Sequence, residues 1–444
     1  MSAVHISTSA RAGGKWFAFS SQSLRGASGG FACRGRLVAG LVLSIRLVSG
    51  QEAWQNSPTG EAAAEVRQPH PESQHYTFRS GEFRLLVTPS LEMDWNDNIA
   101  LSKENGLQDL ILRPLLEFTG SYPVTPNNLL RFNVGVGYDK YLQHSDFSDL
   151  RLVSGSELAF DAYIKDFWIN LHERFQYLQD PAEQGSLAAT GRYGGLDNTA
   201  GLSTTWNLQD LVLTLGYDHE NFVSSSSAYA YLNRASELFV ARVGLRLHPR
   251  VTAGFEAGGS LTTYDQTFLN DNQSYSGGIF ADWKPGSSFR ARARGGYMAY
   301  LLDQTSQVIK GVDQDTVYAD VTVSHEISEA ITYSFSAGHE LRLGTSADLV
   351  EDTYLRPSID WNIIKNLIFS TYLSYEHGKQ GQGSQTSAIA ETYDWLGTSL
   401  RLSHQITKKL SLTLKYRLTV RSSDVADRQY AQNLVGLRLT YQLE

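Results

Sequence analysis

Thiols are nearly absent: the 444 residues contain one cysteine, Cys33, and three methionines. Because Cys33 falls in the leader, disulfides contribute nothing to the mature body. Also missing is any run of about 18 apolar residues, which excludes a bilayer-spanning helix. A membrane β-barrel passes this test, since only alternate residues of its strands need be apolar. Positive charge is in short supply as well: the net charge is -8 and the pI is near 5.8, which argues against a nucleic-acid partner. No HExxH, paired CxxC or P-loop pattern occurs, so the sequence points to no metal and no cofactor. Gly26-Ala27-Ser28-Gly29-Gly30 fits the letters of a nucleophile elbow, but it lies in the leader and not between a strand and a helix. His172 and Asp218 could enter a hydrolase only if the fold brought a serine to them, so the expectation is a protein that is not an enzyme.

What is abundant is Tyr, with 23 residues, and Gly, with 38, a balance that favours strands and turns over helices. Residues 1–50 read as a leader: Arg34 and Arg36 precede the apolar stretch Leu37 to Ile45, and Val48-Ser49-Gly50 offers small residues for signal cleavage. Met1 to Phe31 exceeds an ordinary n-region, which puts the expected start of translation downstream of Met1. Residues 51–82 hold Pro58, Pro69 and Pro71, show neither helical nor strand period, and read as a flexible periplasmic segment. The expected barrel covers 83–444.

Across that body a unit of about forty residues recurs, each copy turning at a short polar segment between two long alternating strands. Turn centres fall near residues 125, 165, 208, 249, 286, 328, 364 and 407. The opposite ends carry longer polar stretches, among them Asp180 to Asp197 and Asp303 to Asp315. Leu410, Leu412, Leu414, Tyr416, Leu418 and Val420 alternate without a break with Ser411, Thr413, Lys415, Arg417, Thr419 and Arg421. A helix would scatter those leucines around its circumference, so period two means a strand. About eighteen such segments are found, with sixteen to twenty as the range. The expected fold is all-β: one antiparallel transmembrane barrel with short periplasmic turns and longer extracellular loops.

Length and aromatic sorting decide which face meets lipid. The strands reach or exceed the 9 to 11 residues that cross a bilayer, longer than the usual strand of a soluble protein. Trp206, Trp283, Trp361, His325 and His404 share the apolar face beside the short turns, and Tyr138, Tyr177, Tyr217, Tyr297 and Tyr375 stand at its other end. Two such girdles mark two headgroup layers. Arg290, Arg292 and Arg294 alternate with Phe289, Ala291 and Ala293; on the lipid face each would cost about 2–4 kcal/mol, so they are expected inside. Arg401, Lys415, Arg417, Arg421 and Arg438 share that parity, as do Asp218, Glu220, Asp320, Glu326 and Glu340. Two arrangements are open: a lumen with a basic wall and an acidic wall that selects charged solutes, or charges paired across a plugged interior. Strict alternation in Phe167 to Tyr177 aims Glu173 at lipid, which calls for a β-bulge or a different phase.

The last strand, Asn433 to Glu444, resembles the signal by which the outer-membrane assembly machinery recognises its clients, with Asn433, Gly436, Leu439 and Tyr441 as matching positions, although no Phe or Trp ends the chain. From Phe83 to Glu444 the sequence also resembles outer-membrane proteins of the Putative β-barrel porin 2 type. The likeness rests on Leu86-Val87-Thr88-Pro89-Ser90-Leu91-Glu92 followed by Asp97-Asn98, and on units such as Trp361-Asn362-Ile363-Ile364-Lys365-Asn366-Leu367 leading to Leu373-Ser374-Tyr375. The resemblance implies a porin-like barrel in a Gram-negative outer membrane, in some members linked to exopolysaccharide export, and transfers no catalytic residue. The leading expectation is passive passage of small polar solutes through a wet lumen, with lipid and possible copies of the chain as partners. A non-conducting accessory barrel and a secreted β-propeller are the alternatives.

Overall fold

The structure, a computed structural model, describes residues 76–178, 180–183, 185–188, 193–381 and 390–443. The residues read as a leader with a cleavage site, and most of those read as a periplasmic segment, lie outside them. Twenty strands follow in order: β1 (Phe78–Ser80), β2 (Phe83–Asn96), β3 (Asp109–Thr125), β4 (Asn128–Tyr141), β5 (Asp149–Leu152), β6 (Ser156–Ile164), β7 (Phe167–Leu178), β8 (Gly195–Asn207), β9 (Leu211–Ser224) and β10 (Arg234–His248). The second half continues with β11 (Val251–Tyr264), β12 (Asn272–Trp283), β13 (Phe289–Leu302), β14 (Gln314–Ser328), β15 (Ile331–Leu343), β16 (Leu349–Ile364), β17 (Leu367–Gln380), β18 (Glu391–Gln405), β19 (Leu410–Ser423) and β20 (Tyr430–Tyr441).

Every neighbouring pair is antiparallel, and β20 returns to β2 from Ser90↔Thr440 to Asn96↔Leu434, which closes the sheet. β5 and β6 both pair with β4 and form one stave interrupted at 153–155. β1 pairs only with β2, so the closed wall has eighteen staves. Phe78–Ser80, inside the segment read as linker, thus belong to an ordered hairpin, and Thr77 Oγ1 donates to the carbonyl of Leu443 beside it. A closed single sheet rules out the propeller, whose blades are separate small sheets.

The eight short turns fall where the sequence placed them, and the ladder shifts register beside four: Pro123/Thr125, Arg246/His248, Glu326/Ser328 and Asn362/Ile364. Two turns need left-handed backbone at non-glycine residues, Lys165 (φ 56°) and Asn366 (φ 71°). Asn tolerates that conformation well because its short amide can bond locally.

Period two becomes two faces. Leu414 is 51% exposed, while Thr419 and Arg421 on the opposite parity of β19 are buried. Phe255, Ile279, Val317 and Leu437 project outward likewise, and Glu92, Asp94, Asp218, Glu340 and Arg356 are buried within. Closure inverts the soluble pattern, with hydrocarbon outside and ions inside. In β7 the ladder is regular on both sides, so the bulge expected around Glu173 is not there. Glu173 does project outward, its carboxylate accepting from Asn198 Nδ2 at 3.2 Å on β8. That neighbour supplies the polar partner that reasoning from one strand alone omitted.

Candidate functional site: the lumen and the membrane face

The inward positions of adjacent strands stand side by side, so residues of opposite charge meet across one or two staves. Arg292 Nε lies 2.6 Å from Asp282, and Arg294 lies 3.4 Å from Asp320. Lys415 pairs with Glu92 and, at 2.9 Å, with Asp94; Arg438 also pairs with Glu92. Arg113 bonds Asp94 at 2.5 Å and reaches Asp139 at 3.3 Å. Farther round, Arg356 binds Glu376 at 2.8 Å while Arg342 approaches Asp352 and Glu376. Longer contacts over two or three staves run on the same side: Tyr318 Oη on β14 donates to Glu256 on β11 at 3.0 Å, and Tyr354 Oη on β16 donates to Asp320 at 2.7 Å.

Of the two arrangements left open by the sequence, the structure takes interleaved pairs over a basic wall facing an acidic one. Of the carboxylates that neutralise the basic residues, Asp320 was read from sequence, whereas Glu92, Asp94, Asp282 and Glu391 were not. Glu220 meets Arg234 at 3.0 Å. Arg401 lies opposite Lys415 in register, Arg290 opposite Ser324, and Glu326 is exposed near the short-turn end.

His172 and Asp218 do come together, Nε2 to Oδ1 at 2.6 Å, both buried. The other ring nitrogen faces Asn170 Oδ1 at 2.7 Å, and Asn170 Nδ2 donates to Asp161 at 2.7 Å, which fixes the amide's orientation. Both imidazole nitrogens are therefore engaged by neighbours in the wall. Gly201 lies between the two strands, where a Cβ would overlap Asp218 Oδ1 and the Tyr217 carbonyl, so the pair requires glycine there.

A second feature enters from the long-loop end. Residues 180–183 and 185–188, between β7 and β8, fold against the inner wall. Arg417 Nη1 pairs with Asp180 at 2.7 Å and Glu183 at 3.2 Å. Fully buried Arg421 donates to the Gly185 carbonyl at 2.8 Å and pairs with Glu391 at 2.7 Å, and Arg428 donates to the Ser186 carbonyl at 3.0 Å. Burial alone would raise the Asp180 pKa, but Arg417, then Arg113 and the Ala182 amide, outweigh it and hold the carboxyl below its ordinary value. Ala182 and Ala188 join Leu101, Val350, Tyr393, Trp395 and Tyr430 in an apolar cluster; Leu187 joins Tyr193, Phe222, Leu232, Tyr264, Leu269 and Ile309 in another. Sequence reading treated this stretch as a plain polar loop, although its run of small apolar residues was the available signal.

Outside, aromatic rings stand near both ends of the strands. At the short-turn end Phe167 stacks on Trp206 at 4.9 Å, and Trp283, Phe289, His325 and Tyr333 follow one another at 5.2, 5.4 and 5.5 Å over four strands. Trp361 and His404 are exposed at the same level. At the other end Tyr217 donates to Glu237, Tyr297 to Asp315 and Tyr375 to Asp394, each carboxylate on the following strand. Tyr138 is exposed, and Tyr177 donates to Asp149 at 2.5 Å. Rings that lie on hydrocarbon while their hydroxyls bond a carboxylate suit a level where lipid meets water. On β20, Leu439 and Tyr441 face outward, Gly436 faces inward against Asp94, and Asn433 donates to Asp97 at 2.7 Å.

Hydrocarbon staves between two aromatic belts, closed around an ionic interior, define an outer-membrane β-barrel of the porin class. Residues 74–443 match the family described as Putative beta-barrel porin 2, and the chain belongs to it. No curated protein matches. Similar solved structures include Pseudomonas aeruginosa OccK5 (OpdH), at 11% identity over 81% of this chain and 98% of that one, with a TM-score of 0.44. P. aeruginosa OccK2 (OpdF) in complex with glucuronate has 10% identity, 82% and 99% coverage and a TM-score of 0.46. Acinetobacter baumannii OccAB3 has 10%, 81%, 99% and 0.43.

Proposed function

We propose that the barrel is a non-enzymatic porin, giving small polar and charged solutes passive passage across the outer membrane through a water-filled lumen. The single observation that carries this reading is the ionic inner wall of an eighteen-stave barrel whose outside is hydrocarbon. An ion-paired wall presents donors and acceptors of both signs along the path, so it favours dipolar and zwitterionic solutes over those of one net charge. The stretch formed by 180–183 and 185–188 is the narrowing element, because it carries its own carboxylates and backbone carbonyls to Arg417, Arg421 and Arg428 on the inner wall.

Biogenesis through the outer-membrane assembly machinery follows from the β20 pattern of Asn433, Gly436, Leu439 and Tyr441, and association into a homo-oligomer is compatible with the apolar exterior. Purified protein added to a planar bilayer should produce stepwise conductance, and removing the Arg421 anchor should enlarge the steps. Silence of the folded protein would overturn the porin reading in favour of a blocked accessory barrel.

A further inference from the structure

The wall forks between β14 and β15. In β8/β9, β10/β11 and β12/β13 the ladder runs to Gly195↔Ser224, Arg234↔Tyr264 and Asn272↔Leu302, the last residues of those strands. Between β14 and β15 it ends at Ala319↔His339, although β14 continues to Gln314 and β15 to Leu343. Both strands keep their other neighbours: β13 pairs with β14 to Tyr300↔Gln314, and β15 pairs with β16 to Leu343↔Leu349. Their backbones have parted only from each other, and one side-chain contact, Thr316 Oγ1 to His339 Nε2 at 3.4 Å, still spans the gap.

The upper end of β15 leans into the lumen. Leu341, whose parity with Ala337 and His339 is outward, is buried with Met298, Tyr300, Leu302, Tyr318 and Leu349. Its amide donates to Met298 Sδ at 3.5 Å, a weak thioether acceptor on β13, two staves away. An apolar cluster thus packs against the inner edge of the fork. Across the mouth the β15–β16 tip is tied down: Asn270 donates to Asp348 through its amide nitrogens at 2.8 and 2.9 Å, and Tyr231 Oη donates to the Thr345 carbonyl at 3.0 Å. The fork begins at the level of the outer tyrosines, since Tyr297 pairs with Val317, and Val317 is 64% exposed. An open strand edge is costly in hydrocarbon but tolerable among headgroups, where water can reach it.

We infer that the β14/β15 fork is a side entrance through which an amphipathic solute, with one apolar chain and a polar head, passes between the outer-leaflet interface and the lumen. The chain crosses on the Met298, Tyr318 and Leu341 patch while the head moves among the charges within. This extends the proposed porin function and rests on its wet lumen.

The test pins the fork shut. Val317→Cys with Leu341→Cys, in a Cys33→Ser background, joins the two positions that would face each other if the ladder continued. Asp315→Cys with Leu343→Cys repeats the closure higher up, should the first pair fold poorly. In vesicles, entry of a fluorescent lysophosphocholine is followed by protection from dithionite, and ion conductance is measured on the same protein in planar bilayers. Oxidation should cut lysolipid entry at least tenfold, leave conductance within twofold, and be reversed by dithiothreitol. Unchanged entry at complete cross-linking would overturn the inference, as would a parallel fall of entry and conductance. A wild type without conductance overturns the porin reading, and lysolipid entry still decides the fork.

Discussion

Replacing Ile279 by arginine asks the membrane face to accept a charge where it should be least able to. Ile279 is 62% exposed on β12, midway between Tyr275 on the outer belt and Trp283 on the inner one, four residues from each. At about 3.3 Å per residue and a tilt of about 40°, each belt is roughly 10 Å away in depth. Arginine at mid-depth of a barrel exterior costs about 2–4 kcal/mol. At about 1.4 kcal/mol per tenfold, the folded population relative to the unfolded one falls roughly 30- to 700-fold. If the same face met water, an exposed substitution of this kind would shift stability by no more than about 0.5 kcal/mol. Urea titration in phosphocholine vesicles, followed by tryptophan fluorescence and by heat-modifiable gel mobility, reads the difference. Gln273→Arg, at the outer belt, is the control and should cost about 0–1 kcal/mol. An Ile279→Arg protein as stable as the wild type would refute the assignment of that face to lipid.

Three further outcomes are expected. Arg421→Ala removes the buried partner of Glu391 and the donor to the Gly185 carbonyl; breaking such a pair costs about 3–5 kcal/mol, moderated here because Arg428 still binds Glu391 at 2.8 Å. The expected signs are a lower urea midpoint and larger conductance steps. The Asp180 carboxyl, held below its ordinary value in the folded protein, adds stability to the docked stretch of 180–183 and 185–188 at any pH above the ordinary aspartate range, and that stability is lost as pH falls through the lowered value. Step conductance should therefore be flat from neutral pH into the weakly acidic range and rise below it, with Asp180→Asn showing the large steps throughout. Gly201→Ala drives a methyl into Asp218 and should cost about 1–3 kcal/mol in the urea assay, whereas Gly277→Ala, where nothing lies within 4 Å, should be close to silent.

Strand faces and turns were legible because their signals are local. Leu412 and Leu414 announce their face within two residues, and Trp283 or His404 announces the membrane edge by standing next to a turn. The ion pairs were not legible, because Arg417 meets Asp180 and Lys415 meets Glu92 only after the sheet closes. Glu173 misled for a related reason: its partner Asn198 is a neighbour in register and distant in sequence. Tyr318 is inward, and its bond to Glu256 three staves away leaves no trace in either strand. The fork at Ala319↔His339 was hidden most completely, since Leu341 keeps the outward rhythm of β15 while its backbone turns inward.

The account depends on lipid outside the cylinder and water within it. Single cysteines placed in turn from Ser411 to Val420, in a Cys33→Ser background, can each carry a fluorophore and be challenged with a lipid-borne quencher and with a membrane-impermeant thiol reagent. Positions 412, 414, 416, 418 and 420 should be quenched by lipid and resist the reagent, while 411, 413, 415 and 417 should react and escape quenching, and the buried 419 should do neither. The opposite alternation, with Leu414 shielded from lipid and Arg417 facing it, would contradict the account.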